Sequence, residues 1–487
     1  MHFIDGKWQE GAHDTFVSIN PATNETIWEG THAGAQEVER ALIAAQRAFP
    51  SWSATSIEER IGYLGRFEEI LKEEKGALAL IISQETGKCL WEAFIEVDGM
   101  IGKIATSIEA YQSRCESRAI SVNNGILKTL FKPHGVVAIL APFNFPGHLP
   151  NGHLIPALLA GNCAVIKSSH HTPLTLRTIF QCWEKVGLPP GVINLLQGGG
   201  ETGELIANHP KIDGLFFTGS YEVGAKLCKE LPPHKILALE MGGNNPLVVS
   251  ELDELEAASY LTILSAYITS GQRCSCARRL IVVKSKKNQE YLKILTQMIG
   301  SIQVGSYDTT PEPFMGPLIS MEIVEKLLAA QAVLGASGGK SLVEMRPLQE
   351  KRPFLSPGLM DVTAVKHRAD QELFGPFLQL IWAENFNDAI RLANQTEYGL
   401  SASLLSCDES QYAPFFNQVN AGVINFNAPT TGANAKAPFG GIKKSGNHRP
   451  SGYFASDYCS YPIASLQHKQ IQLPERLAPG VDLLATT

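Results

Sequence analysis

The chain has 487 residues, 44% of them apolar and 18% charged, with a formal net charge of -7, which fits a globular protein of several domains. Acidic and basic residues are interspersed without a Lys/Arg run, which argues against nucleic acid as a partner, and the longest clean apolar run, Val136 to Phe143, is too short to span a bilayer. Nine irregularly spaced cysteines do not form a disulfide framework, and the opening MHFIDGKW lacks a basic segment followed by an apolar one, so a reducing cytoplasm is the expected compartment.

The first residues predict two short strands, Phe3-Ile4 and Lys7-Trp8, around a turn at Asp5-Gly6. Val38, Ala41, Leu42, Ala45 and Phe49 recur at helical spacing. Thr55 with Glu58 reads as a capping box opening the next helix, and Gly87-Lys88 as a turn. Residues 115–134 read as extended chain, with Ile120, Val122, Ile126, Lys128, Leu130 and Lys132 along it.

From residue 135 short apolar runs alternate with helical stretches. Strands are predicted at Val136–Leu140, Ala164–Lys167, Val192–Leu196, Gly214–Phe217 and Ile236–Leu239. Helices are predicted over 150–160, 173–187, 201–208 and 221–230. Strand, helix and strand in repetition predict a parallel sheet with crossovers. A second alternating series begins at Pro246–Val249 and Leu280–Val283 and continues to about 455, with a domain boundary near Leu239. The tail after Ser460, chiefly Ile463–Leu473, is again extended. Edge strands of this kind pair with another subunit or pack on their own chain, and the pattern leaves both open.

No GxGxxG follows the first strand of the sheet, and no GxxxxGK[ST] occurs. Instead Phe217-Thr218-Gly219-Ser220 ends a strand, and Tyr221-Glu222-Val223-Gly224 opens a helix. Backbone N–H groups and the positive helix end there can face a pyrophosphate. The same arrangement also serves as a plain turn with an N-cap. Lys167 ends a neighbouring strand and can reach a ribose hydroxyl, or stand in solvent.

Ser270-Gly271-Gln272-Arg273-Cys274-Ser275-Cys276 supplies a thiol beside a glycine turn. A thiolate adds readily to a carbonyl carbon and later leaves from a thioester. Cys276 competes for that role, and a pair of this spacing can bind metal. No partnered Cys/His cluster lies nearby in the sequence, so no metal is expected. Glu240 closes an apolar strand before Met241-Gly242-Gly243 and can activate a water. Asn144 follows a buried strand in Phe143-Asn144-Phe145-Pro146, where its amide can hold an oxyanion or shape a turn.

Taken together, Phe143–Pro146, Phe217–Ser220, Glu240–Gly243, Gly271–Cys274 and Glu372-Leu373-Phe374-Gly375-Pro376 resemble, in order, the motifs of the aldehyde dehydrogenase superfamily over nearly the whole chain. The resemblance implies two open α/β domains with mainly parallel sheets and a bridging oligomerisation strand arm. The NAD-binding domain would comprise 1–114 and 135–239, the catalytic domain 240–455, and the arm and tail 115–134 and 456–487. It implies Cys274 as nucleophile, Glu240 as general base and Asn144 as oxyanion donor with the Cys274 backbone N–H. The cofactor NAD would meet Gly219, Ser220, Tyr221, Glu222, Val223 and Gly224 at its pyrophosphate, Lys167 and Glu372 at its riboses and Phe374 at its nicotinamide. A homodimer or homotetramer is implied, with a small-molecule substrate and no membrane.

Within the superfamily, Pro146–His153, Gly243–Pro246, Cys274–Arg279, Ser445–Ser451 and Asp457–Cys459 are similar to the succinylglutamate semialdehyde dehydrogenases. That family oxidises N-succinyl-L-glutamate 5-semialdehyde in arginine catabolism by the succinyltransferase route. Arg278, His448 and Arg449 are then candidates for the two substrate carboxylates, which guanidinium groups bind bidentately. Surface charge or internal ion pairing explains the same three residues equally well. One position departs from the wider family: a glutamate is usual three residues after Lys167, where this chain has His170 followed by His171. Without that carboxylate a 2′-phosphate meets less repulsion, so NAD is expected and NADP is left open. Another semialdehyde dehydrogenase of the superfamily and a non-catalytic NAD-binding scaffold are the competing readings. Transfer of the acyl group to coenzyme A fits less well with Glu240 in place.

Overall fold

The computed structural model describes residues 1–122, 125–474 and 476–482. Two seven-stranded sheets organise it. The first carries the parallel strands Ile236–Met241, Gly214–Gly219, Val136–Leu140, Cys163–Lys167 and Ile193–Leu196 in that spatial order, and the antiparallel His2–Ile4 and Lys7–Gln9 complete its far edge. Val136–Leu140 and Cys163–Lys167 are buried at every residue. Helices cover both faces of a sheet built by crossovers, so its central strands are apolar throughout rather than alternating. The predicted strands and helices of this series all form, with ends shifted by a few residues.

Two of those shifts have clear causes. Gly214–Gly219 and Ile236–Met241 continue past their apolar runs because they pair in parallel register, Thr218 opposite Glu240 and Gly219 opposite Met241. Glu240 is therefore held inside a hydrogen-bonded ladder. The expected capping box at Thr55 is corrected by one residue. The Thr55 hydroxyl donates back to the Trp52 carbonyl at 2.7 Å, closing the preceding helix. Ser56 instead caps Ile57–Glu73 by accepting the Glu59 N–H at 3.1 Å.

Three residues, Gly242 to Asn244, lead from the first sheet into Asn245–Val249 of the second. That sheet is parallel from Gly358–Asp361 through Phe377–Ala383, Ala277–Val283, Asn245–Val249 and Ser401–Leu405 to Val423–Phe426, with Lys340–Val343 antiparallel at one edge. The loops leaving the carboxyl ends of the first sheet meet the loops entering the amino ends of the second. Binding sites in open α/β sheets form at such carboxyl edges.

The two extended segments find each other. Gly125–Pro133 pairs antiparallel with Ser460–His468 over nine residues, and Arg118–Val122 pairs on its other side. The three-stranded sheet exposes Ile120 (60%) and Leu466 (58%). Asn123 and Asn124 of the expected arm, with Glu475 and 483–487 of the tail, lie outside the described residues. Just before the last strand, the short helix Ala455–Cys459 buries Ala455, Tyr458 and Cys459 in the core of the first sheet. Among the described residues no helix is long and apolar enough to cross a membrane.

Candidate active site

Cys274 sits after an unusual turn. Thr269 (φ 55°, ψ 34°) and Ser270 (φ 54°, ψ 34°) both adopt left-handed backbone, and Gly271 follows at φ 71°. A β-branched residue with positive φ costs roughly 1–3 kcal/mol and persists only where its surroundings hold it. Here the Thr269 hydroxyl donates to Glu92 at 2.6 Å and the Ser270 hydroxyl to the Gly316 carbonyl at 2.7 Å. A Cβ on Gly271 would lie 2.1 Å from the Gly375 carbonyl oxygen, so only glycine fits. Beyond the turn, the Asn245 amide donates to the carbonyls of Cys274 at 2.7 Å and Cys276 at 2.9 Å, fixing the thiol-bearing segment to the second sheet.

Cys274 is partly exposed, whereas Cys276 beneath it is buried. All nine cysteines are free thiols. Burial pushes the Cys274 thiol up, and the carboxylates of Glu372 and Glu240 push the same way against Arg278. A thiol so placed ionises only when a base takes its proton.

Glu240 can be that base. It is 5% exposed, and burial raises its pKa to about 7, with Ser451 and the Lys103 ammonium pulling back. One of its oxygens, Oε2, is buried without a hydrogen-bond partner. His153 stands behind it, Nε2 being 4.0 Å from Oε1. The His153 ring also meets the Tyr458 hydroxyl at 2.8 Å and the Thr218 hydroxyl at 3.3 Å. Burial pushes His153 down to about 3, so the ring is neutral. Lys103, lowered by burial to about 8, donates to the Gly452 carbonyl at 2.7 Å.

Asn144 lies in the loop after Val136–Leu140, at the same carboxyl edge of the first sheet. Its Nδ2 donates to the Gln272 carbonyl at 2.9 Å, two residues before the thiol. One amide N–H is used in this bond and the second remains for a ligand.

The residues expected to hold a dinucleotide come from the carboxyl edge of the first sheet and, for Glu372 and Phe374, from the loop entering Phe377–Ala383 of the second. Ser220 caps the Tyr221–Glu230 helix, its hydroxyl accepting the Val223 N–H at 3.5 Å. Tyr221 lies beside Tyr398, and the Lys444 ammonium stands 4.9 Å from the Tyr221 ring. Glu222 and Val223 are exposed. A Cβ on Gly224 would strike the Met241 sulfur at 2.3 Å, which explains the small residue by packing. Lys167 is buried, lowered to about 8, and donates to the carbonyls of Ser168 at 2.6 Å and Gly198 at 3.1 Å. Glu372, raised to about 7 by burial, accepts the Gly243 N–H at 3.3 Å and is so close to the backbone that a Cβ on Gly242 would lie 1.8 Å from its Oε2. Phe374 meets Phe143 edge to face at 5.8 Å.

The three expected substrate residues are not gathered together. Arg278 is fully buried in the strand Ala277–Val283 and donates to the carbonyls of Gly375 at 3.1 Å and Arg273 at 3.0 Å, with Glu372 at 3.9 Å. It braces the loops from below and presents no surface to a substrate, which corrects the expectation. His448 and Arg449 are exposed. Gly446 bridges antiparallel to Glu240, and Asn447 bonds the backbone of Leu239 and Leu237, so the chain runs down the sheet edge away from the thiol. Arg449 accordingly acts on His134, which lies before the amino end of Val136–Leu140.

Lys88, Glu92, Glu96, Lys103, His153 and Asn245 join the site without a role expected of them from the sequence. A signal existed for three of them. Glu92, Glu96 and Lys103 interleave with Ala93, Val97, Met100 and Ile104 on the buried stripe of the Leu90–Arg114 helix, where charges are rare unless paired.

Comparison with known proteins follows the same lines. A model of the aldehyde dehydrogenase family matches residues 8–462. The chain is 47% identical over 481 residues to an N-succinylglutamate 5-semialdehyde dehydrogenase of Paraburkholderia xenovorans (strain LB400), covering 98% of this chain and 99% of that protein. A solved point mutant of betaine aldehyde dehydrogenase from Staphylococcus aureus, in complex with NAD+, matches with a TM-score of 0.90 at 29% identity over 98% of this chain and 99% of that one. An NADP-dependent enzyme of E. coli matches with a TM-score of 0.90 at 27% identity over 96% of this chain and 98% of that one.

Proposed function

The chain belongs to the aldehyde dehydrogenase family, and on that premise we propose that it oxidises N-succinyl-L-glutamate 5-semialdehyde to N-succinyl-L-glutamate with NAD, as a step of arginine catabolism. The substrate reading rests on the 47% identity to a relative of that name over nearly the full length of both chains. The observation that carries the chemistry is the placement of three groups. Asn144 is fastened to the loop of Cys274, and the Glu240 carboxylate lies within electrostatic reach of the thiol.

The residues present fit a dinucleotide. Glu372 has a partly exposed carboxylate with a single backbone donor on it, so acceptor capacity remains for ribose hydroxyls. Lys167 has one N–H beyond the two given to carbonyls. Gly219, Ser220, Tyr221, Glu222, Val223 and Gly224 would line the pyrophosphate at the helix amino end, and Phe374 would lie by the nicotinamide. When bound, NAD supplies the acceptor for the hydride that leaves the substrate carbon.

The protein's own groups do the rest. Glu240 takes the thiol proton as Cys274 Sγ bonds the carbonyl carbon. The carbonyl π electrons move to oxygen, where the free Asn144 N–H and the Cys274 backbone N–H hold the charge. After oxidation the adduct is a thioester. Glu240, having released the thiol's proton to solvent, then takes a proton from water, the hydroxyl adds to the acyl carbon, and the carbon–sulfur bond breaks to release the acid and the thiolate. A pKa of about 7 keeps Glu240 partly ionised at neutral pH, as a base of this kind requires.

We also propose that the arm formed by Arg118–Val122, Gly125–Pro133 and Ser460–His468 joins subunits in a homodimer or homotetramer, and that the enzyme works in the cytoplasm. The exposed apolar side chains of the arm support the first point.

NADH formation from N-succinylglutamate 5-semialdehyde, with Cys274→Ala as control, tests the reading. Succinate semialdehyde, glutamate 5-semialdehyde and betaine aldehyde complete the panel. The succinylated substrate should give the highest kcat/KM. A clear preference for another aldehyde removes the substrate assignment, and no turnover with any of them removes the enzyme.

A further inference from the structure

The Leu90–Arg114 helix sends two buried carboxylates, Glu92 and Glu96, toward the site from one face, as residues four apart on a helix do. Each grips a different loop. Glu96 Oε1 accepts the backbone N–H of Gly147 at 2.9 Å and of His148 at 3.2 Å. Its other oxygen pairs with the Lys88 ammonium, and both side chains of this pair are essentially without solvent contact. Lys88 donates in turn to the backbone carbonyl of Asn144 at 2.8 Å. The Asn144 loop is thus pinned at residues 144, 147 and 148 by one ion pair. Glu92 Oε1 accepts the Thr269 hydroxyl at 2.6 Å and Arg273 Nη2 at 3.0 Å, while Arg273 Nε donates to the same hydroxyl at 2.8 Å. That second pair holds the left-handed turn and the residue next to Cys274.

The two halves touch through Phe145. Its ring has the Lys88 ammonium 3.8 Å from its centroid on one side of the network and the Arg273 guanidinium at 5.1 Å on the other. An unpaired buried charge is costly, so neither loop can move without breaking its pair. Neither carboxylate meets the reacting atoms.

We propose that Glu92 and Glu96, with their partners Arg273 and Lys88, are positioning residues that set the distance between the two oxyanion donors, the Asn144 amide and the Cys274 backbone N–H. The proposal rests on the reading of those two groups as the oxyanion site. It assigns the Leu90–Arg114 helix, part of the first core, the task of registering a loop of the first sheet against a loop of the second. A purely stabilising pair would lower the amount of folded enzyme; a positioning pair lowers the rate of enzyme that is fully folded.

The test uses full-length enzyme and the aldehyde turned over fastest in the panel above. Glu96→Gln keeps an acceptor for Gly147 and His148 but removes the charge facing Lys88. Because this leaves a buried ammonium unpaired, the charge-neutral double variant Lys88→Met/Glu96→Gln accompanies it, as does Glu92→Gln. For each variant that folds, kcat should fall about 10- to 100-fold with KM within about threefold. Alkylation of Cys274 by iodoacetamide, which forms no oxyanion, should keep its rate. Glu96→Gln placed in an Asn144→Ala background should lower kcat little further, since the group it acts through is gone. An unchanged kcat, a parallel loss of alkylation, or full additivity with Asn144→Ala overturns the proposal. If Asn144→Ala alone leaves kcat intact, the oxyanion reading falls first and takes this proposal with it. A failure of all three variants to fold assigns the pairs to stability alone and overturns it as well.

Discussion

The Asn144 side chain donates its amide to the Gln272 carbonyl at 2.9 Å across 128 residues of sequence. This bond ties the loop after the strand Val136–Leu140 to the loop that carries Cys274. It leaves one amide N–H of Asn144 for a ligand. Asn144→Ala removes that donor and the tie together. The expected loss in kcat is about 10²–10³-fold, measured by steady-state NADH formation. A loss below fivefold would remove Asn144 from the oxyanion site.

Glu240 should separate the two halves of the reaction. In Glu240→Gln, rapid mixing should still show one early turnover of NADH, provided another group or solvent takes the thiol proton, followed by a steady state about 10²–10⁴-fold slower. Absence of the early turnover would give Glu240 the proton of Cys274 as its main task and water activation a lesser one. In the parent enzyme the rate should rise with pH through about 7. A flat profile between pH 6 and 8 would contradict the assignment.

The same carboxyl has a consequence for stability. Its folded pKa, about 7, lies above the ordinary 4.5, so the folded state binds the extra proton. Its contribution to stability therefore falls as pH rises from about 4.5 to 7 and stays low above that. The upper bound is about 3 kcal/mol, at 1.36 kcal/mol per unit. Glu240→Gln should then resist urea better than the parent at pH 8 and no better at pH 4.5. Equal urea midpoints at pH 8 would count against a carboxyl whose pKa is raised by burial.

Cofactor choice should turn on the two histidines after Lys167. The rings of His170 and His171 lie 3.9 Å apart, and the Lys167 charge acts on both. A 2′-phosphate placed by Lys167 would meet the two histidines, while the Glu322 carboxylate that also acts on both rings is paired with Lys326. NADP should therefore support measurable turnover, and His170→Glu should cut kcat/KM for NADP about 10-fold or more while leaving NAD nearly unchanged. A parent enzyme with no NADP turnover at all would show that some other group excludes the phosphate.

Gly271 should tolerate no side chain. Its φ of 71° is left-handed, and the Gly375 carbonyl occupies the space a Cβ needs. Gly271→Ala should lose about 2 kcal/mol or more of stability, read as a lower urea midpoint, together with most activity. A midpoint equal to the parent's would mean that the turn relaxes freely.

How much of this was legible in sequence depended on how local the cause was. Val136–Leu140 and Ile193–Leu196 could be read because a strand buried on both faces must be a continuous apolar run. The motifs around Asn144, Glu240 and Cys274 could be read because their chemistry lies in short contiguous stretches. For Arg278 a substrate role and an internal one are equally compatible with the sequence, because the pattern does not show the backbone carbonyls that surround it here. Lys88, Glu92 and Glu96 passed unnoticed because the loops they hold lie 51 to 181 residues away. The reversed backbone at Thr269 and Ser270 has no signature at all, since neither residue favours it. It follows from contacts that exist only once the two sheets have met.

The pairing of Gly125–Pro133 with Ser460–His468 also dictates an order of events during synthesis. The earlier strand leaves the ribosome more than 300 residues before its partner. At ~5–20 residues per second, its edge stays open for tens of seconds, with Ile126 and Leu127 along it. The charges of Lys128 and Lys132 on the same strand are well placed to discourage nascent chains from zipping together through that edge. Any union of subunits through this ribbon must wait until translation has passed His468, so the strand made last acts as the permission to assemble.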